Sequence, residues 1–181
     1  MRKLTLLFLT AMFVTFAIGT PTAADVISAA PGGLVVRSAV EVAATPEAVY
    51  DALTAGVGNW WPGSQTWSGN SRNLSVDARA GGCFCEKLSN GGSVQIMQIV
   101  YAEPGALLRL AGSAPGPLQA SAAIATQSWQ LTKVGAGTRI ELTFSAAGYL
   151  PIGFDKIAPA TDKVFADLLN SLAKHVGAPK P

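Results

Sequence analysis

The chain has 181 residues, of which 49% are hydrophobic and 13% are charged. Its 13 basic and 11 acidic side chains nearly balance, and the basic residues do not cluster. A nucleic-acid-binding protein concentrates positive charge to neutralise phosphates, so this composition excludes nucleic acid as the partner.

The first 24 residues have the three parts of a secretory signal. Arg2 and Lys3 provide a positive start, residues 4–18 carry no charge, and small residues occupy positions 22–24. A membrane-spanning helix needs about 20 mostly apolar residues, so a cleaved signal peptide over 1–24 is favoured over a retained membrane anchor. We therefore expect a periplasmic or secreted protein that begins at Asp25 and has no stable membrane anchor. Without Arg2 and Lys3 it carries 11 basic and 11 acidic residues.

The remaining chain has the length of a single domain. Residues 25–33, which end in a stretch rich in Ala, Pro and Gly, predict a flexible lead-in. Residues 34–176 form the predicted domain, and 177–181 form a short tail. The chain shows no internal repeat and no low-complexity linker.

The order of predicted elements defines the fold class. The domain opens with a strand at 34–43, and a short helix follows because Thr45 suits an N-cap and Pro46 suits the first helical position. Alternating hydrophobicity and turn residues predict six more strands between 74 and 147. Apolar residues at three- and four-residue spacings predict a long helix over 159–176. We expect an α+β fold, with a curved antiparallel sheet of six to seven strands around that C-terminal helix.

Several short motifs follow these elements in a fixed order: ATPEAVYDAL at 44–53, WWP at 60–62, AGGCFCE at 80–86, YAEPG at 101–105 and GTRIEL at 137–142. Together they resemble the START-like (SRPBCC) superfamily, in particular its polyketide-cyclase-like proteins and the homologues of the activator of the ninety-kilodalton heat-shock ATPase. The resemblance implies a helix-grip fold. It also implies a cavity for a small hydrophobic or amphipathic molecule between the sheet and the C-terminal helix. It does not fix an activity, because members include carriers, enzymes and co-chaperone domains.

The parity of the strands and the resemblance together indicate which residues contact such a ligand. The tryptophans after the first helix are expected at the cavity mouth, where their rings offer a large apolar area. Core packing is the alternative role for at least one of them. The candidates are Trp60, Trp61, Trp67, Phe84, Met97, Ile99, Gln127, Trp129, Phe165 and Leu169.

Glu86 is the candidate for chemistry. It lies two residues after Phe84 on the same predicted strand, so both side chains point to the same face. A carboxylate in an apolar cavity can serve as a general acid or base. The alternative is that Glu86 pairs with a nearby base such as Arg109 or Lys87.

Cys83 and Cys85 are the only cysteines in the chain. On an extended strand their α-carbons lie about 6.5 Å apart, near the upper limit for a disulfide. Two free thiols are therefore favoured, with an intrachain disulfide as the alternative. A zinc site needs three or four ligands, and the only histidine, His175, lies near the far end of the last helix. We expect no metal and no cofactor.

These observations favour an exported protein that binds a small hydrophobic molecule and catalyses no reaction, because no complete catalytic set of residues is found. The first alternative is an enzyme of the cyclase or lyase type with Glu86 as its acid or base. The second is a protein-interaction module that uses the surface of its sheet.

The signal peptide predicts the mass of the exported protein. When the full chain is expressed with export, the protein should begin at Asp25, because signal peptidase cleaves after small residues. Intact-mass measurement checks this, with Ala24→Phe as a control that should block cleavage. An exported protein that retains Met1 would contradict both the export and the balanced mature charge.

Overall fold

The computed structural model describes residues 25–177. The predicted signal peptide and residues 178–181 of the predicted tail lie outside this range. Among the described residues, no helix is long and apolar enough to cross a membrane. The elements are β1 Asp25–Ala30, β2 Gly33–Val42, α1 Pro46–Leu53, β3 Leu74–Val76, β4 Cys83–Lys87, β5 Ser93–Glu103, β6 Leu107–Ser113, β7 Ala122–Val134, β8 Gly137–Tyr149 and α2 Phe154–Gly177.

All eight strands form one antiparallel sheet in the order β1-β2-β8-β7-β6-β5-β4-β3. Strand β2 pairs with β8 over its full length, from Gly33 opposite Ala147 to Val42 opposite Thr138. The first long strand of the domain therefore lies beside the last one. The predicted α+β helix-grip class is confirmed, with eight strands instead of six to seven.

The additional strand is β1, which comes from the segment predicted to be a flexible lead-in. Residues Asp25–Ala30 pair with β2, although all six are exposed. That prediction of flexibility was wrong because an exposed edge strand shows no alternation between buried and polar positions. Strand β1 is paired with β2 through backbone hydrogen bonds, and the pattern of hydrophobic and polar residues gives no indication of such bonds.

The short helix α1 begins as predicted. The Thr45 side chain accepts a hydrogen bond from the Ala48 backbone N–H at 3.3 Å, and Pro46 is the first helical residue. Val49 and Leu53 are buried on the same side of α1, which places this side against the sheet.

Helix α2 begins five residues before the predicted start at Pro159. The extra turn is held because Phe154 is fully buried and its backbone N–H donates to the Pro31 carbonyl at 3.2 Å. Pro159 lies inside the helix, where it removes one backbone hydrogen bond. The predicted boundary was wrong because proline usually marks the first turn.

The two helices cover different parts of the sheet. Helix α2 contacts chiefly β2, together with β1 and β8, whereas α1 contacts β7. Phe165 of α2 stacks on Phe144 of β8 with ring centroids 4.4 Å apart. The part of the sheet formed by β4–β7 is left to α1 and to the segment that follows it.

A disulfide joins Cys83 and Cys85 within β4. The α-carbons are 5.4 Å apart, inside the range for disulfides, because the pairing of β4 with β5 is irregular between Phe84 and Cys85. The expectation of free thiols was wrong, since it assumed a regular extended strand.

Within residues 25–177, no group of three or more His, Cys, Asp or Glu side chains could hold a metal ion.

This disulfide should contribute little to stability. It closes a very short loop and so constrains the unfolded chain only slightly. Replacing both cysteines with serine should lower the free energy of unfolding by about 1–2 kcal/mol, which corresponds to a few degrees in the melting temperature. Thermal unfolding measures the change, and the wild-type protein under reducing conditions should behave like the variant. Loss of cooperative unfolding would show that the bond is essential.

Candidate functional site

Four aromatic side chains meet between the sheet and the segment after α1. Trp60 and Trp61 follow a short 3-10 turn at Val57–Asn59, Phe84 lies on β4, and Trp129 lies on β7. The ring centroids of Trp60 and Trp129 are 6.0 Å apart, and those of Trp61 and Phe84 are 5.1 Å apart. Both pairs are edge-to-face, which is a favourable geometry for aromatic rings.

A small cavity of about 10 Å³ lies within this cluster. That volume is enough for one water molecule at most. The nine residues around it include no charged side chain, and they are Leu53, Val57, Trp61, Val76, Phe84, Leu108, Leu110, Gln127 and Trp129. The cavity is therefore small, mostly apolar, and bounded by the sheet, α1 and the segment after α1.

Helix α2 does not border this cavity, contrary to the expected position between sheet and C-terminal helix. Phe165 and Leu169 are buried where α2 packs on the sheet, and neither is among the residues that line the cavity. Met97 and Ile99 are also buried outside it. The sequence pattern placed these four residues on the inner face, and the structure assigns them to the core.

Trp60 and Trp61 are adjacent but differ in how firmly they are held. Trp60 is 5% exposed, and its indole Nε1 donates to the Ala52 carbonyl at 2.7 Å. Its own carbonyl accepts from the Ser171 hydroxyl of α2 at 2.6 Å. Trp61 is only partly buried, and its Nε1 has no hydrogen-bond partner among the described residues. Trp60 is therefore a core residue that ties α1 to α2, while Trp61 covers the cavity without such a bond.

Gln127 is the one polar side chain that lines the cavity. It is 3% exposed, and its Nε2 has no partner within the described part of the chain. Its neighbours directly across β6 and β8 are Leu110 and Phe144, so the flanking positions offer no acceptor from a side chain. An unsatisfied buried donor costs about 1–3 kcal/mol, which is unusual in the centre of a native sheet.

Glu86 is fully buried, and both of its carboxylate oxygens accept backbone hydrogen bonds. Oε2 accepts from the Trp67 N–H at 2.9 Å, and Oε1 accepts from the Ser68 N–H at 2.6 Å. Phe84 and Glu86 share the inner face, as expected from their spacing. However, Glu86 does not line the cavity, and Arg109 donates instead to the Ser128 hydroxyl at 2.9 Å. This geometry gives Glu86 the role of an anchor for the loop that carries Trp67 and Ser68.

Trp67 lies outside the aromatic cluster. Its side chain is 53% exposed, and the cavity is lined by residues other than Trp67. Its backbone N–H, and not its indole, makes the specific contact of this residue, with Glu86. No sequence signal reports a backbone donor in an irregular loop, so this contact could not be predicted.

A larger, open groove of about 570 Å³ lies on the opposite face of the sheet. Val35, Ser145, Thr126 and Ala111 are directly opposite one another there, on β2, β8, β7 and β6. Most of the residues that line the groove are small, although Val35 and Ile124 are among them, and the lining includes no aromatic or charged residue. It offers no anchor for a ligand comparable with the aromatic cluster.

The arrangement of sheet and C-terminal helix is that of a helix-grip protein, and several solved structures have a similar fold. The Mll3558 protein from Rhizobium loti is 22% identical, with 78% of this chain and 96% of that chain covered and a TM-score of 0.59. The EF2215 protein from Enterococcus faecalis is 14% identical, with coverages of 91% and 80% and a TM-score of 0.58. The Aha1 dimer from Colwellia psychrerythraea is 21% identical, with coverages of 81% and 98% and a TM-score of 0.56. At these identities the likeness concerns the fold alone.

The family follows from the sequence itself. Residues 34–177 match the family described as polyketide cyclase / dehydrase and lipid transport. The chain belongs to this family, and the START-like resemblance is confirmed. No curated protein matches the chain in sequence.

The anchoring role of Glu86 can be measured. Glu86→Gln keeps the shape of the side chain but turns an amide –NH₂ towards the backbone N–H of Trp67 or Ser68. We expect the free energy of unfolding to fall by about 1–3 kcal/mol, measured by urea denaturation. Glu41→Gln, at an exposed strand position, is the matched control and should change stability by less than about 0.5 kcal/mol. Equal effects of the two substitutions would show that the two backbone hydrogen bonds do not stabilise the fold.

Proposed function

We propose that this protein is an exported binding protein that takes up a small hydrophobic ligand beneath Trp61. The observation that carries the proposal is the aromatic cavity covered by a tryptophan whose indole N–H has no partner. An apolar cavity with few polar groups is typical of ligand sites. The family description includes lipid transport, which also supports a hydrophobic ligand.

The described structure corresponds to the closed form of this site. A cavity of about 10 Å³ cannot contain an organic molecule, so the ligand must displace part of the wall. We expect Trp61 to be the side chain that moves, because its departure breaks no hydrogen bond of the indole and exposes the N–H to water, at the cost of its ring contacts with Trp60 and Phe84. Trp60 cannot move as readily, since its indole is bonded to Ala52.

The alternatives from the sequence have less support. An acid/base enzyme needs a carboxylate that reaches the substrate, whereas both oxygens of Glu86 are occupied by backbone N–H groups outside the cavity. An interaction module needs a surface with anchoring side chains, typically Trp, Tyr or Arg, and the lining of the outer groove includes no aromatic or charged residue. Ligand binding is the function that the arrangement of residues supports best.

Export is the second part of the proposal. It is supported by the signal-like pattern of residues 1–24. The Cys83–Cys85 disulfide is consistent with it, because such bonds persist in oxidising compartments.

Binding should depend on Trp61 and not on Trp67. N-phenyl-1-naphthylamine is a neutral apolar dye whose fluorescence rises in apolar surroundings. In the wild-type protein, the dye must displace the Trp61 ring, and the burial that this ring loses opposes binding. Trp61→Ala removes the ring, so the variant should bind the dye at least about tenfold more tightly than the wild type. Trp67→Ala removes an exposed ring, keeps the backbone N–H and should leave the affinity unchanged.

The wild-type protein provides the second measurement. In protein labelled with 5-fluorotryptophan, the dye should shift the fluorine resonance of Trp61, while that of the exposed Trp67, which does not line the cavity, stays in place. Equal dye affinities of the Trp61→Ala and Trp67→Ala variants, with no shift of the Trp61 resonance, would show that the ligand site lies elsewhere.

A further inference from the structure

One buried polar group, the side-chain amide of Gln127, lines the cavity, and a purely hydrophobic ligand would leave it without a hydrogen-bond partner. Gln127 lies on β7, which has paired strands on both sides, so the floor of the cavity is a rigid part of the sheet. Its Nε2 is buried, has no partner in the described chain, and belongs to a residue that lines the cavity. The donor is therefore fixed in position and available to whatever occupies the cavity.

We propose that the ligand carries a hydrogen-bond acceptor, a carbonyl oxygen, which binds the side-chain amide of Gln127. This inference rests on the proposed function, because it names the chemistry of the molecule that enters beneath Trp61. In the closed form the cavity has room for one water at most, and that water would occupy the place of the ligand oxygen.

The rest of the lining restricts the ligand further. None of the nine lining residues is charged, so a charged ligand would be desolvated without compensation. Phe84 and Trp129 present aromatic rings from β4 and β7, which suit a flat ring system. The ligand class is therefore a neutral carbonyl compound that contains rings, with its oxygen directed at the sheet.

A site that holds an unpaired donor distinguishes ligands with and without the acceptor. A ligand that supplies the oxygen gains the hydrogen bond, whereas a hydrocarbon of the same shape leaves the donor unpaired in a water-free site. Replacing Gln127 with leucine removes the donor and keeps an apolar floor of similar size. The preference for the carbonyl compound should then disappear, while the affinity for the hydrocarbon is kept.

The test compares 9-fluorenone with fluorene, which share a ring skeleton and differ by a carbonyl in place of a methylene. Their affinities are measured by displacement of N-phenyl-1-naphthylamine from the Trp61→Ala protein, in which the site is open. Fluorenone should bind at least about tenfold more tightly than fluorene. Adding Gln127→Leu should reduce the ratio to about one, whereas adding Gln95→Leu, at an exposed position of β5, should leave it unchanged.

The outcomes separate this inference from the proposed function. Equal affinity for the two compounds with Gln127 present would overturn the carbonyl assignment and leave hydrophobic binding intact. Failure of both compounds to bind would overturn both proposals. If Gln127→Leu prevents folding, Gln127→Met replaces it, because the unbranched thioether side chain is similar in length, carries no charge and offers no donor, and the loss of the tenfold ratio is again the expected result.

Discussion

The arrangement of the site depends on one buried carboxylate. Glu86 is fully buried on the inner face of β4, and its two oxygens bind the backbone N–H groups of Trp67 and Ser68. A buried carboxylate is costly unless both oxygens are satisfied, so the loop that satisfies them is held against the sheet. Ser71 in the same segment donates to the Gly58 carbonyl at 2.9 Å. Through these contacts the irregular segment between α1 and β3, which supplies Val57 and Trp61 to the lining of the cavity, is held against the sheet.

Two adjacent tryptophans in this segment serve different purposes. Trp60 is hydrogen-bonded through its indole to α1, and its carbonyl is hydrogen-bonded to α2, so it joins the two helices that cover the sheet. Trp61 packs edge-on against Phe84 but makes no indole hydrogen bond within residues 25–177. Two neighbouring tryptophans are therefore held differently among the described residues, the first by hydrogen bonds to both helices and the second by the packing of its ring.

The sequence predicted the long elements well because their burial is periodic. Over residues 123–131 of β7 and 138–146 of β8, buried residues alternate with exposed or half-buried ones. This period of two in the hydrophobic pattern can be read from the sequence. Strand β1 has no such alternation, since every residue is exposed, so its backbone pairing with β2 left no pattern in the sequence. The start of α2 was displaced because Phe154 stabilises a turn that Pro159 disfavours. Tertiary burial outweighed the local signal at that point.

The same reasoning explains which parts of the candidate site could be predicted. Gln127 and Trp129 lie on the regular strand β7, so their parity placed them on the inner face beside the cavity, and Phe84 of β4 lies on the same face. Trp67 could not be placed, because its position follows from an irregular loop and from a backbone bond to Glu86. The disulfide was missed for a related reason, since it depends on a local irregularity in the pairing of β4 with β5.

The two edges of the sheet have a consequence for behaviour at high concentration. A regular exposed edge is a template for pairing with another chain, which leads to aggregation. Strand β1 forms one edge, and the register of its pairing is interrupted between Val26 and Ser28, which twists the backbone away from a flat template. Strand β3 forms the other edge and is only three residues long. Val26 and Ile27 leave apolar surface exposed at the β1 edge. Because neither edge offers a long, regular row of free backbone groups, the sheet nevertheless resists extension by a second copy of the chain.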